Sequence, residues 1–207
     1  MPHFKDRTVK DCLIVGPWNA CFNPVRVGDF ILENNMSENS DLKLCSSVIF
    51  LDIDGVLNDH TQMDNRYCGV NKECVANFNQ ILDSVPDAKI VISSAWRYMI
   101  LRGDVTVKGF EMLLLTHGVK CFQRVIGHTI ADGPIEDEPH HHDEPAKWHE
   151  NTMRERGHQV MSWAIEHGVQ KFVALDDLHI GIPNHYWVDG ESGLTQSDVN
   201  AVVALIR

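Results

Sequence analysis

Three apolar runs of the sequence each end in polar side chains that could do chemistry. These side chains are Asp52 and Asp54 after the first run, Ser93, Ser94 and Arg97 after the second, and Asp176 and Asp177 after the third. Four carboxylates gathered in one place need a cation, because two like charges about 4 Å apart repel by roughly 4 kcal/mol at an effective dielectric of about 20. An all-oxygen ligand set favours a hard ion, and Mg²⁺ is the usual one where phosphates are handled. The residue types therefore indicate a magnesium site that handles phosphate.

The elements that must position these residues alternate between strands and helices. Continuous apolar runs predict buried strands at 48–53, 89–94, 122–126 and 171–175, with a short fifth strand at 186–188. Helical spacing and end signals predict helices at 71–84, 107–117, 154–167 and 196–206. This alternation predicts an α/β fold, a Rossmann-like parallel sheet with helices on both faces. The carboxyl ends of its strands form one edge, where ligands bind, so the polar residues are expected to converge there.

Charge and composition narrow the class of protein. The 207 residues carry 18 Lys and Arg against 29 Asp and Glu, a formal net charge of −11. This balance argues against a protein that grips phosphate backbones through a broad basic face. Much of the acid lies in the segment 130–150, which we interpret as an acidic His-rich loop; its run His140–His142 fits a solvated segment better than a metal site. A small, local basic pocket stays compatible with this charge.

Cysteine spacing and hydropathy indicate a cytoplasmic protein without a membrane span. None of the six cysteines forms a CxxC pair, and a chain of this length can build its own core without disulfides. Acidic residues interrupt the N-terminus, which excludes a secretory signal, and the longest apolar runs are far too short to cross a bilayer. Residues 1–43 are expected to be an N-terminal extension, and residues 44–207 the domain.

The residues of the three motifs resemble those of the haloacid dehalogenase (HAD) superfamily. Segment 49–58 resembles its first motif, 90–97 its second and 173–177 its fourth. The chain is more closely similar to the HAD domain of Swiss Army Knife RNA repair proteins, in three features: the Ser-Ser-x-Trp-Arg string at 93–97, an Arg-rich start to a helix ending near Trp163, and the late string at 193–195. The resemblance covers about residues 47–206.

The resemblance implies an enzyme, a phosphoric monoester hydrolase of the HAD type. Asp52 would be the nucleophile that forms an aspartyl-phosphate, and Asp54 the general acid and then the general base. Crowding by other carboxylates should raise one pKa and allow Asp54 to hold a proton. Ser93 would hydrogen-bond the phosphoryl oxygens.

The resemblance also implies the remaining ligands and contacts. Mg²⁺ would be held by Asp52, the backbone carbonyl of Asp54, Asp176 and Asp177. The cation of the third motif is expected to be Arg156, with Arg154 and Lys147 as other candidates and a solvated helix charge as the alternative for each. Substrate contacts would come from Ser94, Arg97 and Asn58; the alternative for Arg97 is a structural salt bridge.

The identity of the substrate stays open at this point. The segment between the first strand and its helix is too short for a large cap, so we expect little or no cap domain and a site that admits polymer ends. Phosphorylated RNA or DNA ends, in a repair setting, or nucleotides are the expected substrates; a small-molecule phosphatase and a non-catalytic binding protein are the alternatives. Among the tryptophans, Trp148 is the expected substrate contact, and Trp163 is expected in the core.

Overall fold

The computed structural model describes residues 47–59, 69–130 and 145–207, and in the last range it describes side chains from residue 153 onward. The expected extension 1–43 and the histidines 140–142 therefore lie outside the described residues, as do the side chains of Lys147 and Trp148. Among the described residues, no helix combines the length and the apolar character that crossing a bilayer requires.

Five parallel strands form a single sheet in the described part of the chain. They are β1 (Val48–Leu51), β2 (Lys89–Ile92), β3 (Val125–His128), β4 (Phe172–Asp176) and β5 (His185–Trp187). Their order across the sheet is β3-β2-β1-β4-β5, and every neighbouring pair is parallel. The predicted α/β fold with a Rossmann-like parallel sheet is confirmed.

Five helices accompany the sheet in the same described ranges. They are α1 (Lys72–Ser84), the single-turn α2 (Tyr98–Leu101), α3 (Val107–Thr116), α4 (Pro145–Glu166) and α5 (Gln196–Ile206). A 3₁₀ turn, Ala95–Arg97, leads from β2 into α2. Side-chain caps define the helix starts: the Asn71 side chain accepts a hydrogen bond from the Glu73 N–H (2.8 Å) at α1, and the Thr106 hydroxyl accepts one from Gly109 (3.0 Å) at α3.

Helices cover both faces of the sheet. On one face, alternate strand residues such as Ile49 and Leu51 share a core with α1, α3 and α5. On the other face, Val48 and Phe50 pack against α4, whose Trp163 meets Phe50 edge-on with ring centroids 5.5 Å apart. Trp163 is only 6% exposed, which confirms its prediction as a core residue. Because successive strand residues point to opposite faces, a four-residue apolar run contributes two side chains to the core on each face of the sheet.

Two elements begin three or more residues away from their predicted starts. Helix α4 begins at Pro145, so residues 145–150, which were predicted as loop, are helical. Proline is favoured in the first turn of a helix, but the polar and charged residues that follow it carry no apolar period that would reveal the helix. Strand β3 begins at Val125 rather than at residue 122, because the chain turns through Gln123, which has a positive φ of 59°.

Candidate active site

Three carboxylates converge at the carboxyl edge of the sheet. Asp52, Asp176 and Asp177 each place one oxygen so that all three atoms lie within 4.8 Å of one another. Parallel register produces this arrangement, because Leu51 of β1 pairs with Leu175 of β4, and the Asp52 N–H donates to the Leu175 carbonyl (3.0 Å). The all-oxygen set is the kind that Mg²⁺ prefers.

Burial makes this cluster costly without a cation. Asp52 is 2% exposed and Asp176 is 0% exposed. Desolvation, followed by the negative charge of Asp52, raises the pKa of Asp176 to about 7. Buried carboxylates are stable as anions only when they are paired or coordinate a metal. The charge, the burial and the oxygen donors of these residues thus fit a resident divalent cation.

Arg156 places its guanidinium in direct contact with two of these carboxylates, Asp52 and Asp176. Its Nη1 contacts Asp52 Oδ2 and lies 2.9 and 3.0 Å from the two oxygens of Asp176. Burial alone would lower the pKa of Arg156, but Asp52 and Asp176 outweigh it and raise the pKa above its usual value. Of the two arginines considered for this position, Arg156 contacts the carboxylates, and Arg154 is exposed.

Asp54 is held by two donors on either side of its carboxyl group. Trp96 Nε1 donates to Oδ2 (2.9 Å), and Asn58 Nδ2 donates to Oδ1 (3.0 Å). Burial raises the pKa of Asp54, the Asn58 hydrogen bond opposes this, and the charge of Asp52 adds to the increase. The direction is the one expected for a general acid, but its main cause is desolvation rather than crowding by carboxylates.

Asn58 ties together the turn that follows β1. Besides its bond to Asp54, it accepts a hydrogen bond from the Gly55 N–H (2.8 Å) and donates to the Gly69 carbonyl (3.3 Å). The side chain is 3% exposed. These contacts position Asp54, and a direct contact between Asn58 and the substrate stays a prediction.

The turn after β2 is anchored to helix α4 through Arg97. The guanidinium donates to the carbonyls of Ser93 (3.2 Å) and Ser94 (2.8 Å) and to Gln159 Oε1 (2.9 Å). Arg97 is 5% exposed. Ser93 lies beside Asp52, because its N–H donates to the Leu51 carbonyl (2.9 Å). The structure thus brings these residues to the predicted edge, while their roles in binding the substrate stay predictions.

Trp96 and Gln159 belong to the site although the motifs did not single them out for it. Trp96 comes two residues after the serine pair, so a donor aimed at the neighbouring strand end could have been inferred from its place in the turn. Gln159 lies three residues after Arg156, a spacing that places both side chains on one face of a helix. That signal becomes useful only once Arg156 is known to face the sheet.

Gly55 lets the turn approach Asp177 closely, and we predict that Gly55→Ala weakens Mg²⁺ binding. Gly55 has a φ of +71°, and a Cβ there would lie 2.6 Å from both Cγ and Oδ2 of the Asp177 carboxylate. The carboxylate would have to move out of the cluster, so we expect about a tenfold or greater increase in the dissociation constant for Mg²⁺. Isothermal titration calorimetry with Mg²⁺ measures this.

Gly103→Ala is the matched control for that variant. Gly103 has a similar φ of +77°, but no atom lies within 4 Å of the position of its Cβ. The substitution therefore imposes the same backbone strain, about 1–2 kcal/mol, without the steric clash. Equal dissociation constants for Mg²⁺ in the two variants would show that the close approach of Gly55 to Asp177 has no effect on Mg²⁺ binding.

A comparison with protein families shows a match over most of the described domain. A family model described as the HAD domain in Swiss Army Knife RNA repair proteins matches residues 48–199, well over half of the chain. The matched range runs from the first residue of β1 into α5 and contains every side chain of the cluster. No curated protein and no solved structure matches the chain.

Proposed function

The chain belongs to the family of HAD domains found in Swiss Army Knife RNA repair proteins, and on that premise we propose that it is a Mg²⁺-dependent phosphomonoesterase working through an aspartyl-phosphate. The observation that carries the proposal is the contact of Arg156 with both Asp52 and Asp176 at the centre of the carboxylate cluster. A cation that bridges the nucleophile and a metal ligand suits phosphoryl transfer, where catalysis consists mainly of positioning and charge stabilisation.

Asp52 is the nucleophile in this proposal. Its Oδ1 accepts a hydrogen bond from the Ile53 N–H (2.8 Å), and its Oδ2 contacts Arg156. A carboxylate oxygen of Asp52 attacks phosphorus while the bond from phosphorus to the leaving oxygen breaks. Water then attacks the phosphorus of the aspartyl-phosphate, which releases inorganic phosphate and restores the carboxylate.

Asp54 moves the proton in both steps. As an acid it gives its proton to the leaving oxygen, and as a base it takes one from the attacking water. Its raised pKa favours the protonated form that the first step requires. Trp96 and Asn58, which donate to its two oxygens, orient the carboxyl group.

Mg²⁺ would be held by carboxylate oxygens of Asp52, Asp176 and Asp177, which lie close together, and by the backbone carbonyl of Asp54, as the resemblance implies. When bound, it would neutralise charge on the phosphoryl group and so allow an anionic nucleophile to approach. Arg156 would also neutralise charge on the phosphoryl group, from the side of helix α4. Its positive charge reduces the repulsion between Asp52 and Asp176 as well.

Nucleic-acid ends or nucleotides are the proposed substrates. The segment 52–71 connects β1 to α1. A cap that formed its own domain would need roughly 50 residues or more. The short connection therefore supports a site with little or no cap. We further propose a cytoplasmic location, which the buried free thiols of Cys74 and Cys121 support.

Hydrolysis assays with Mg²⁺ and with EDTA test the proposal. We expect Mg²⁺-dependent release of phosphate from an aryl phosphate, and after rapid acid quenching a phosphoryl group on the segment that contains Asp52. Phosphorylated oligonucleotides should be better substrates than free nucleotides. Preference for nucleotides or for other small phosphoesters would favour a small-molecule phosphatase, and absence of any turnover would favour a non-catalytic binding protein.

The pKa of Asp176 predicts how metal binding changes with pH. Above about pH 7 the carboxyl group is ionised and can bind Mg²⁺, so affinity should fall as pH drops through this value, by up to about tenfold for each pH unit. In EDTA the native protein holds a proton that the unfolded chain loses above the ordinary pKa of 3.8. The free energy of unfolding without metal should therefore fall as the pH rises from that value to about 7.

Thermal unfolding at several pH values measures both effects. The stabilisation by Mg²⁺ should be small at about pH 5 and should grow toward about pH 8. Asp176→Asn is the control, since it removes the titrating group and should remove both the pH dependence and most of the stabilisation. A Mg²⁺ effect of constant size across this range would contradict the assignment of Asp176 as a ligand.

A further inference from the structure

A cleft with a volume of about 460 Å³ lies between helix α4 and the loop after β4. Its lining, within the described part of the chain, includes Arg154, Gly157, His158, His179, Ile180 and Ile182. Arg154 and Gly157 flank Arg156 along the helix, and the loop starts directly after Asp176 and Asp177. Both walls of the cleft therefore come from chain segments that lie within a few residues of the carboxylate cluster.

Two stacked aromatic rings continue the wall of this cleft toward the cluster. The His179 and Trp187 rings lie with centroids 5.0 Å apart and planes at 17°. Both residues are exposed, Trp187 to 46%. Trp187 Nε1 donates to the backbone carbonyl of Asp177 (2.7 Å), which fixes the indole next to a predicted metal ligand. Exposed, fixed aromatic rings are the surfaces on which unpaired nucleobases stack.

The lining residues give this cleft a charge unlike that of the whole chain. Arg154 and His158 are exposed on its helix side, and His179 lies opposite, while none of the described residues that line it is acidic. The chain as a whole carries a net charge of −11. A local basic and aromatic surface on an acidic protein matches a ligand that has phosphate and a planar base.

We propose that this cleft binds the terminal nucleoside and the next backbone phosphate of a single-stranded polynucleotide whose end phosphate lies at Asp52. The base stacks on the His179–Trp187 pair, and Arg154 contacts the backbone phosphate. The volume is within the range of pockets that hold small ligands, about 300–1,000 Å³. The inference rests on the proposed function, since it names the substrate of that same site.

Gly157 allows the loop after β4, which forms one wall of the cleft, to pack closely against helix α4. A Cβ at this position would overlap the Ile180 carbonyl and lie 3.0 Å from Ile182 Cγ2. The loop therefore packs on the helix backbone itself, with little freedom to close the cleft or to open it. A preformed surface binds at a lower entropic cost than one that must be ordered.

Comparison of substrates with and without a nucleobase tests the proposal. The substrates are an aryl phosphate and single-stranded oligonucleotides bearing a 3′-phosphate or a 5′-phosphate. Trp187→Ala should lower kcat/KM for the preferred oligonucleotide about tenfold and leave the aryl phosphate within about twofold. Trp187→Phe keeps a ring but loses the hydrogen bond to Asp177, and it should retain most activity on both.

Arg154→Gln should lower kcat/KM for the oligonucleotide at low salt about fivefold, with a smaller effect at high salt. The matched controls are Phe122→Ala and Arg102→Gln, which change an exposed aromatic residue and an exposed arginine outside the cleft. An equal loss on aryl phosphate and oligonucleotide in Trp187→Ala would overturn the proposal, because Trp187 would then act only by positioning Asp177. An undiminished kcat/KM for the oligonucleotide would overturn it as well.

Binding measurements separate this inference from the proposed function. The fluorescence anisotropy of a labelled phosphorylated oligonucleotide is measured with Asp52→Asn and with the same variant carrying Trp187→Ala. If no phosphate ester is turned over but affinity depends on Trp187, the phosphatase proposal fails and the cleft is supported. If aryl phosphate is hydrolysed but affinity is independent of Trp187, the cleft proposal fails and the phosphatase stands.

Discussion

Replacing Asp52 with asparagine is expected to abolish the hydrolysis of every phosphate monoester that the protein accepts. The amide is nearly the same size as the carboxylate but has no anionic oxygen with which to attack phosphorus. Loss of a nucleophile in other hydrolases lowers kcat by several orders of magnitude, so we expect a decrease of at least about 10⁴-fold. Initial rates on an aryl phosphate with saturating Mg²⁺ measure it.

Folding should survive this substitution. Asp52 is one of two buried carboxylates that contact Arg156, and Asp176 keeps that partner. Removing a negative charge from a crowded, desolvated cluster relieves repulsion, so the thermal unfolding midpoint should stay level or rise. Asp83→Asn makes the same chemical change at an exposed residue and should keep the wild-type rate. Comparable turnover in Asp52→Asn and the wild type would end the assignment of Asp52 as nucleophile.

The convergence of the strand ends was predictable from the sequence because parallel register leaves few choices. Apolar runs identify the strands, and the residues that follow β1, β2 and β4 must emerge at one edge once these strands are neighbours. The order β2-β1-β4 at the middle of the sheet brings Ser93, Asp52 and Asp176 side by side. The prediction thus depended on strand type and direction, which local patterns indicate well, rather than on the details of any loop.

The side chains that come from the helix and the turns were less predictable. Which residue of α4 faces the cluster depends on where the helix packs on the sheet, and Gly157 determines that packing through its contact with Ile180. Arginine at 154 and 156 cannot be distinguished before that position is known. In the same way, Asp54 receives Trp96 and Asn58 as donors only because the turn after β1 folds back on itself.

Arg97 makes structural contacts that the sequence did not indicate. Its guanidinium donates to two backbone carbonyls and to Gln159, and so connects the turn after β2 to the helix that carries Arg156. A contact between Arg97 and the substrate stays a prediction. Sequence identifies a charged residue near a site, but the neighbouring carbonyls that use its donors depend on tertiary packing.

The second large effect is expected at Arg156, where methionine should lower kcat on an aryl phosphate by about 10²–10³-fold. The guanidinium contacts Asp52 and both oxygens of Asp176, so it stabilises the nucleophile and a predicted metal ligand together. Removing one fixed donor from a site of developing charge typically has an effect of about this size. Arg156→Lys keeps the charge but loses the planar fork, and we expect it to be intermediate. Rates at saturating substrate and Mg²⁺ measure the series.

Stability measurements test whether Arg156 compensates the negative charges of Asp52 and Asp176. Breaking a buried ion pair by removing one partner typically destabilises by about 3–5 kcal/mol, because the remaining charges are left uncompensated. In Arg156→Met, Asp52 and Asp176 would lose the positive charge that compensates them, so the unfolding midpoint of this variant in EDTA should fall. Mg²⁺ should then stabilise the variant more than it stabilises the wild type. Arg102→Met, at an exposed arginine, is the control for loss of a surface charge. If Arg156→Met matched this control in both rate and Mg²⁺ response, the guanidinium would be a solvated helix charge, and another group would have to balance the cluster.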